Sequence, residues 1–422
     1  MRKNDEFIGN VSAVGSNMEG IVRIDNYVCF VPFALMGEKI KFKALKVTKN
    51  IAFCKLIEVL TPAEQRVRPR CCVYGKCGGC QLQHLRYKDQ LKLKSETVHD
   101  CIKKIAGLET EVLPCVKSDT EYEYRNKLQL PVRCDNGVNK IGFFALNSHR
   151  VVETDCCPIQ KSWSTDIISI FKDYINESGV TCYNEETGEG LIRHIVVRSC
   201  DVALMITVVI NGETLPSSNL LIQKLSYKLK KFSLFINENT LDTTIILGDK
   251  FTCIYGEPKF NTEEFGLRYE VVPQSFMQVN GYVKKKLYQD VVKTLSADNN
   301  TTVIDAYSGA GLMTALLSQN AKRVYGIEIV KEAVESANKL VKDNNLEDKV
   351  INICAPCETE LPPLIKNLKD NGSKVSVVLD PPRKGCDKKV LDAILDAKPD
   401  KIVYVSCSPQ TLARDLGVLT GA

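Results

Sequence analysis

Tyr404-Val-Ser-Cys407-Ser-Pro409-Gln-Thr-Leu-Ala-Arg414-Asp415 is the stretch from which the fold is read. An apolar strand runs into a cysteine, and a proline two residues later opens a helix. In an open α/β sheet, ligands and reacting groups gather outside the carboxyl ends of the strands. A thiol at a helix amino terminus faces unpaired backbone N–H groups that favour its thiolate. Cys407 therefore reads as a nucleophile. A cysteine that merely ends a core strand would look the same in isolation, since cysteine is commonly buried and the chain has 18 of them. Two further strand ends decide the matter: Asp305-Ala-Tyr307-Ser-Gly309-Ala-Gly311 and Asp380-Pro381-Pro382-Arg383.

Around these segments, strands and helices alternate from about residue 270 onward. Thr302-Val-Ile-Asp is followed by a helix to about 319, then Arg323-Val-Tyr-Gly-Ile-Glu328 and a helix over 330–344. Val350-Ile-Asn-Ile, Val375-Ser-Val-Val-Leu-Asp380, a helix over 387–397 and Lys401-Ile-Val-Tyr complete the run. This alternation predicts a doubly wound parallel sheet of the α/β class. Upstream, residues 115–260 mix β-rich runs with helical patterns at 162–177 and 217–230, an α+β pattern. Residues 83–106 read as one charged helix that could pack on the last unit. The first 60 residues hold about five short strands with glycine turns, the signature of a small OB-type barrel. The expected units are 1–60, 61–265 and 266–422.

With 422 residues, 44% apolar and 25% charged, the chain is an ordinary globular sequence of two to three domains. A net charge of +5 does not establish a nucleic-acid partner. The lysines at 39, 41, 43, 46 and 49 and the arginines at 66, 68 and 70 make the first seventy residues basic, a pattern that on its own reads as a solvated face. No apolar run reaches the length of a membrane span and no signal-peptide core opens the chain, so the expected compartment is the cytoplasm. Disulfides are rare there, and tightly spaced cysteines point to metal or catalysis.

The turn Asp305-x-Tyr307-x-Gly309-x-Gly311 lies between strand and helix, and its glycines let a nucleotide-like ligand approach the backbone. Glu328, 23 positions after Asp305, ends the next strand where it could accept hydrogen bonds from a ribose. The full G-x-G-x-x-G fingerprint of a dinucleotide oxidoreductase is absent. The prolines of Asp380-Pro-Pro-Arg383 stiffen the loop beside the crevice. In Pro273-Gln-Ser-Phe276-Met-Gln278-Val-Asn280, Gln278 and Asn280 offer hydrogen bonds and Phe276 a face for a base. Cys71-x5-Cys77-Gly-Gly-Cys80, with Cys156-Cys157 as a distant fourth partner, suits zinc or an iron–sulfur cluster. The five-residue gap is unusual for structural zinc. Cys354-Ala-Pro-Cys357 has redox spacing but no thioredoxin-like surroundings, and is set aside.

Taken together, Ser-Phe-Met-Gln-Val-Asn, Asp-x-Tyr-x-Gly-x-Gly, Gly-Ile-Glu, Asp-Pro-Pro-Arg and Ser-Cys-Ser-Pro-x-Thr-Leu-Ala-Arg-Asp closely resemble the RNA uracil-5-methyltransferase family. The amino-terminal barrel is similar to the TRAM domain of its rRNA-directed members. The resemblance implies a class I S-adenosylmethionine (SAM)-dependent methyltransferase domain with a Rossmann-like sheet. It implies Gln278, Tyr307, Gly309, Glu328 and Asp380 around SAM, Cys407 adding to C6 of a uridine, and a [4Fe–4S] cluster on Cys71, Cys77, Cys80 and Cys157. It also implies an RNA substrate, 23S rRNA ahead of tRNA, for a monomer with no obligate protein partner. A non-catalytic RNA-binding protein on the same fold is the alternative.

Family members continue past the Leu-Ala-Arg-Asp helix and carry a His-x-Glu segment there that supplies the base for the C5 proton. The last histidine of this sequence is His194. The expectation is a truncated chain that folds and binds SAM but turns over poorly, stalling as a covalent adduct.

Overall fold

The computed structural model describes every residue except Asp201, Val202, Phe276 and Ala422. Its first sheet has six strands in the order Glu6–Asn10, Lys39–Val47, Ile51–Thr61, Tyr27–Val31, Gly20–Ile24, Ala13–Val14. The five expected strands are joined by the two-residue Ala13–Val14. Glu6–Asn10, at one edge, lies against Gly20–Ile24 near the other, so the sheet curls into a barrel. Alternate residues (Ile40, Phe42 and Ala44 on one strand, Ala52 and Cys54 on the next) fill its interior, as the two-residue period of a strand requires.

One of the basic residues proves to be structural. Glu38 is fully buried, and its carboxylate accepts from Arg66 Nη2 at 2.8 Å and from the Leu35 N–H at 2.8 Å. Arg66 Nη2 also donates to the Phe33 carbonyl at 2.7 Å. Arg66 therefore clamps the linker to the barrel instead of decorating a solvated face. Burial pushes the Glu38 carboxyl up, but the Arg66 hydrogen bonds and the Leu35 and Ala63 N–H groups outweigh it and hold its pKa below the ordinary value.

The expected helix at 83–106 is an α-helix over Tyr87–Cys101 that continues as a π-helical turn over Ile102–Ala106. Beyond it stands a seven-stranded sheet in the order Lys250–Tyr255, Phe232–Glu238, Ala203–Ile210, Ile192–Cys200, Lys127–Asp135, Val138–Phe144, Val151–Glu153. Helices Trp163–Ser178 and Ser218–Lys228 cover one face, burying Ile167, Phe171, Tyr174, Leu221 and Leu225 against Leu128, Leu130, Ile195 and Ile206. The opposite face receives Phe260 and Val271, which pack on Met205 and Phe235.

The last sheet is parallel, in the order Val350–Cys354, Arg323–Glu328, Thr301–Ala306, Lys374–Leu379, Lys401–Tyr404. Helices on both faces explain the unbroken apolar runs of the inner strands: every residue of Thr301–Ala306 is buried. Three elements here are absent from the sequence reading. Helix Gly281–Leu295 packs through Val291 and Leu295 on Val303, Val324 and Val378. Helix Cys357–Asp370 forms despite Pro362-Pro363 in its interior, anchored by the buried Cys357, Leu361 and Ile365. The hairpin Phe260–Glu264/Leu267–Val271 straddles residue 265, where the sequence reading divides middle from last unit. Among the described residues no helix is long and apolar enough to cross a membrane.

Candidate active site

The register of the parallel sheet aligns its strand ends. Ala306 pairs with Leu379 and with Ile327, and Leu379 pairs with Tyr404. The residues just beyond, Tyr307, Glu328, Asp380 and the Val405–Ser408 segment, therefore share one rim. Glu328 organises the first turn: its Oε2 accepts from the Gly309 N–H at 3.0 Å and its Oε1 from the Val330 N–H at 2.8 Å. Tyr307 and Gly309 hold positive φ angles of 66° and 56°, which turn the chain sharply over the crevice. At Gly311 (φ 80°) a Cβ would meet the Ala337 Cβ at 2.6 Å, so only glycine lets this turn seat on the neighbouring helix Lys331–Asp343. Asp305 lies behind the turn instead of in the crevice. It is buried and accepts from Thr314 Oγ1 at 2.6 Å; burial, with Asp380 and Glu328 nearby, raises its pKa to about 7.

Asp380 opens onto the crevice, yet enough protein surrounds its carboxyl that burial pushes its pKa up to about 6. Tyr288, on the covering helix Gly281–Leu295, lies close to Asp380 and Asp305 and stacks on Phe265 with 5.7 Å between ring centroids. A buried ion pair between Lys284 of the same helix and Glu264 fixes that helix to the 260–271 hairpin.

Cys407 is exposed between strand Lys401–Tyr404 and helix Pro409–Thr420. Ser408 caps that helix, accepting from the Thr411 N–H at 3.4 Å. The sequence reading assigned no task to Arg414 and Asp415, yet they lock this corner. Asp415 is fully buried and accepts from Tyr404 Oη at 2.6 Å, the Cys386 N–H at 2.9 Å and Arg414 Nε at 2.8 Å. Arg414 Nη2 reaches the Lys384 carbonyl at 2.9 Å. One buried carboxylate thus ties the loop after Asp380 to the strand and helix that flank Cys407. At Gly385 (φ 81°) a Cβ would meet Asp415 Oδ2 at 2.6 Å, so the loop can close on that carboxylate only through glycine. The amino-terminal helix braces the same corner, since Cys101, Ile102 and Ala106 pack on Ala413 and Leu416.

Gln278 lies on the segment that enters helix Gly281–Leu295. Its carbonyl accepts from Asn126 Nδ2 at 2.9 Å, and the Asn126 N–H donates to the Val279 carbonyl at 3.0 Å. Asn280, read from sequence as a ligand contact, is instead the helix cap: its Oδ1 accepts from the Val283 N–H at 3.2 Å and its Nδ2 donates to Ser118 Oγ at 3.2 Å. Phe276, read as a stacking platform, lies outside the described residues.

The second constellation surrounds a cavity of about 300 Å³. Cys71, Cys77, Cys80 and Cys157 all line it, with Cys156, Arg125 and Lys127. Burial raises the pKa of each of the four thiols, that of Cys157 to about 11. Among the described residues no three His, Cys, Asp or Glu side chains form a group that could hold one metal ion. The thiols ring a volume, and Gln83 Oε1, Gln160 Oε1 and Arg125 Nε on its walls are buried without hydrogen-bond partners. That donor set, with two cations to offset thiolate charge, fits a polynuclear cluster better than a lone ion.

Comparison with known proteins places the chain in a family. A family model described as tRNA (Uracil-5-)-methyltransferase matches residues 221–422, and the TRAM domain model matches residues 10–57. An uncharacterized RNA methyltransferase of Clostridium tetani is 40% identical over 99% of this chain and 91% of its own length. One of Clostridium acetobutylicum is 39% identical over 100% of this chain and 92% of its own. The chain belongs to the RNA uracil-5-methyltransferase family. It is a SAM-dependent RNA methyltransferase with a TRAM domain at its amino terminus. The same architecture appears in the crystal structure of Pyrococcus abyssi tRNA (uracil-54, C5)-methyltransferase in complex with S-adenosyl-L-homocysteine (SAH). That structure has 25% identity and a TM-score of 0.76, with 98% of this chain and 93% of that one covered.

Proposed function

We propose that this methyltransferase modifies C5 of a specific uridine in cytoplasmic RNA, acting as a monomer, with Cys407 as the nucleophile. The observation that carries the reading is the exposed Cys407 thiol, set at the carboxyl end of the strand beside that of Asp380 and held there by the buried Asp415. C5 of uracil is a weak nucleophile. Addition of the Cys407 thiolate to C6 gives C5 enolate character, so that C5 can take a methyl group from a sulfonium, whose carbon–sulfur bond would break to leave a neutral thioether. Loss of the C5 proton to a base and elimination of Cys407 then restore the ring and the free thiolate. The uridine must leave its stack to reach the thiol.

Tyr307, Gly309, Glu328 and Asp380 would line the SAM site, with Gln278 closing it from the side. Bound there, SAM supplies an electrophilic methyl group. Cys71, Cys77, Cys80 and Cys157 would hold a [4Fe–4S] cluster, which supplies an anionic, rigid staple between the 71–80 loop and Cys157. Zinc is the alternative occupant. The units would divide near residues 60 and 265.

The TRAM barrel combined with the four-cysteine cavity supports 23S rRNA as substrate. The likeness to the Pyrococcus abyssi enzyme, whose substrate is tRNA, supports the second reading. Incubation with labelled SAM and either unmodified 23S rRNA or tRNA transcripts separates them. 5-Methyluridine in the ribosomal transcript alone is expected; methylation of tRNA alone would overturn that assignment.

A further inference from the structure

Three consecutive residues serve both sites. In the extended segment Arg125-Asn126-Lys127, the Arg125 and Lys127 side chains line the cysteine cavity. Asn126 between them turns the other way, as strand alternation demands, and binds the Gln278 carbonyl at 2.9 Å across 152 positions of sequence. The backbone follows the same division. Arg125 N–H donates to the Ile159 carbonyl at 3.0 Å, two residues beyond Cys157, whereas Asn126 N–H donates to the Val279 carbonyl at 3.0 Å. Gln160 Nε2 donates to the Lys127 carbonyl at 3.0 Å, and Val279 itself forms part of the cavity wall. Ser199 N–H closes the arrangement on the Asn126 carbonyl at 2.8 Å. The Nδ2, backbone N–H and carbonyl of Asn126 are thus all spent on position.

We propose that this segment couples occupancy of the cysteine cavity to the affinity of the cofactor loop, with Asn126 as the positioning residue that holds Gln278. The inference rests on the reading that Gln278 faces SAM and that the cavity holds a metal group. When the cavity is filled, Arg125 and Lys127 are drawn to the anionic thiolates, and Val279 is fixed from behind. The strand then keeps its register with residues 278–280, and the cofactor loop is pre-organised. When it is empty, Arg125 Nε lacks a partner, the wall relaxes, and the loop loses its support.

The test is calorimetric binding of SAH to the full chain. It is measured after anaerobic reconstitution with iron and sulfide and again after chelation, with Asn126→Asp alongside. Aspartate keeps the size of asparagine but removes the N–H donor and sets a carboxylate against a carbonyl. In the wild type, emptying the cavity is expected to weaken SAH by about tenfold, an ordinary coupling between sites. Asn126→Asp is expected to weaken SAH by about tenfold with iron content and melting temperature unchanged, as for loss of one positioned hydrogen bond. Its SAH affinity should then no longer respond to chelation. In turnover, KM for SAM should rise while KM for RNA stays put, a split that a general loss of fold would not give. Equal SAH affinity in the loaded and emptied wild type overturns the coupling. Unchanged affinity in Asn126→Asp overturns the positioning role, and this arm still decides if the emptied protein aggregates. Gln278→Ala separates the underlying reading: if it too leaves SAH unchanged, Gln278 is not a cofactor residue and the fault lies there. Failure to take up iron would fault the cluster reading alone.

Discussion

The crevice and the cysteine cavity are built on opposite principles. The crevice uses the ends of parallel strands, where each functional residue falls a fixed step beyond a paired one, and its polar groups are largely satisfied within the protein. Glu328 already holds two N–H groups and Asp415 four donors. The cavity gathers thiols from loops 77 positions apart, Cys80 to Cys157, and leaves three buried wall atoms unpartnered. One site is held by its sheet and its internal hydrogen bonds; the other, on the proposed reading, would be held by the cluster its thiols bind.

That contrast can be broken at several points. Cys407→Ala should lower methyl transfer by on the order of 10⁴-fold or more, as loss of a covalent nucleophile does, while SAH titration shows an unchanged affinity. Asp415→Ala leaves the buried Cys386 N–H and the Tyr404 hydroxyl without their acceptor; it should cost about 2–3 kcal/mol in a denaturant melt, the range for stranding buried hydrogen-bonding groups. Cys157→Ser should strip the protein of most iron and sulfide, assayed on the purified protein, while a denaturant melt shows the parallel-sheet unit still folding cooperatively. If that unit unfolds as well, the contrast between the two sites fails.

The smallest effect is a pH dependence. A ligand that donates hydrogen bonds to Asp380 needs its carboxylate, and burial raises that pKa to about 6. SAH affinity should therefore rise as pH increases through about 6, by up to about tenfold per unit below it, and Asp380→Asn should flatten the profile. The linkage for the ligand-free fold has the opposite sign. Asp305 and Asp380 bind protons more tightly when folded, so their contribution to stability is present at low pH and is lost as pH rises toward about 7 and about 6 respectively.

The parallel sheet was legible because inner strands read as unbroken apolar runs and each ended in a motif. Cys407, Glu328 and Asp380 were located at their strand ends in this way. Helix Cys357–Asp370 was missed because Pro362-Pro363 argues against a helix interior, and only burial of Leu361 and Ile365 against the sheet reverses that. Asn280 looked like a ligand residue because an amide's hydrogen-bonding partner cannot be read from sequence; here it is Val283 in the next turn. Arg66 looked like surface charge because its partner Glu38 lies 28 positions away. Asp415 had no evident task in the sequence, since the partner that shows its bridging role, the Cys386 N–H, lies 29 positions away. For Arg66, Asp415 and helix Cys357–Asp370 the missing information is long-range pairing, which local patterns do not carry; for Asn280 it is a local cap that the Asn-Gly step at the helix start could have signalled.

The most direct test of the central claim is a denaturing gel with intact-mass analysis after incubation with SAM and an unmodified 23S rRNA or tRNA transcript. The account predicts 5-methyluridine, together with an RNA-linked protein species that disappears in Cys407→Ala. Methylation by Cys407→Ala at the wild-type rate would contradict it.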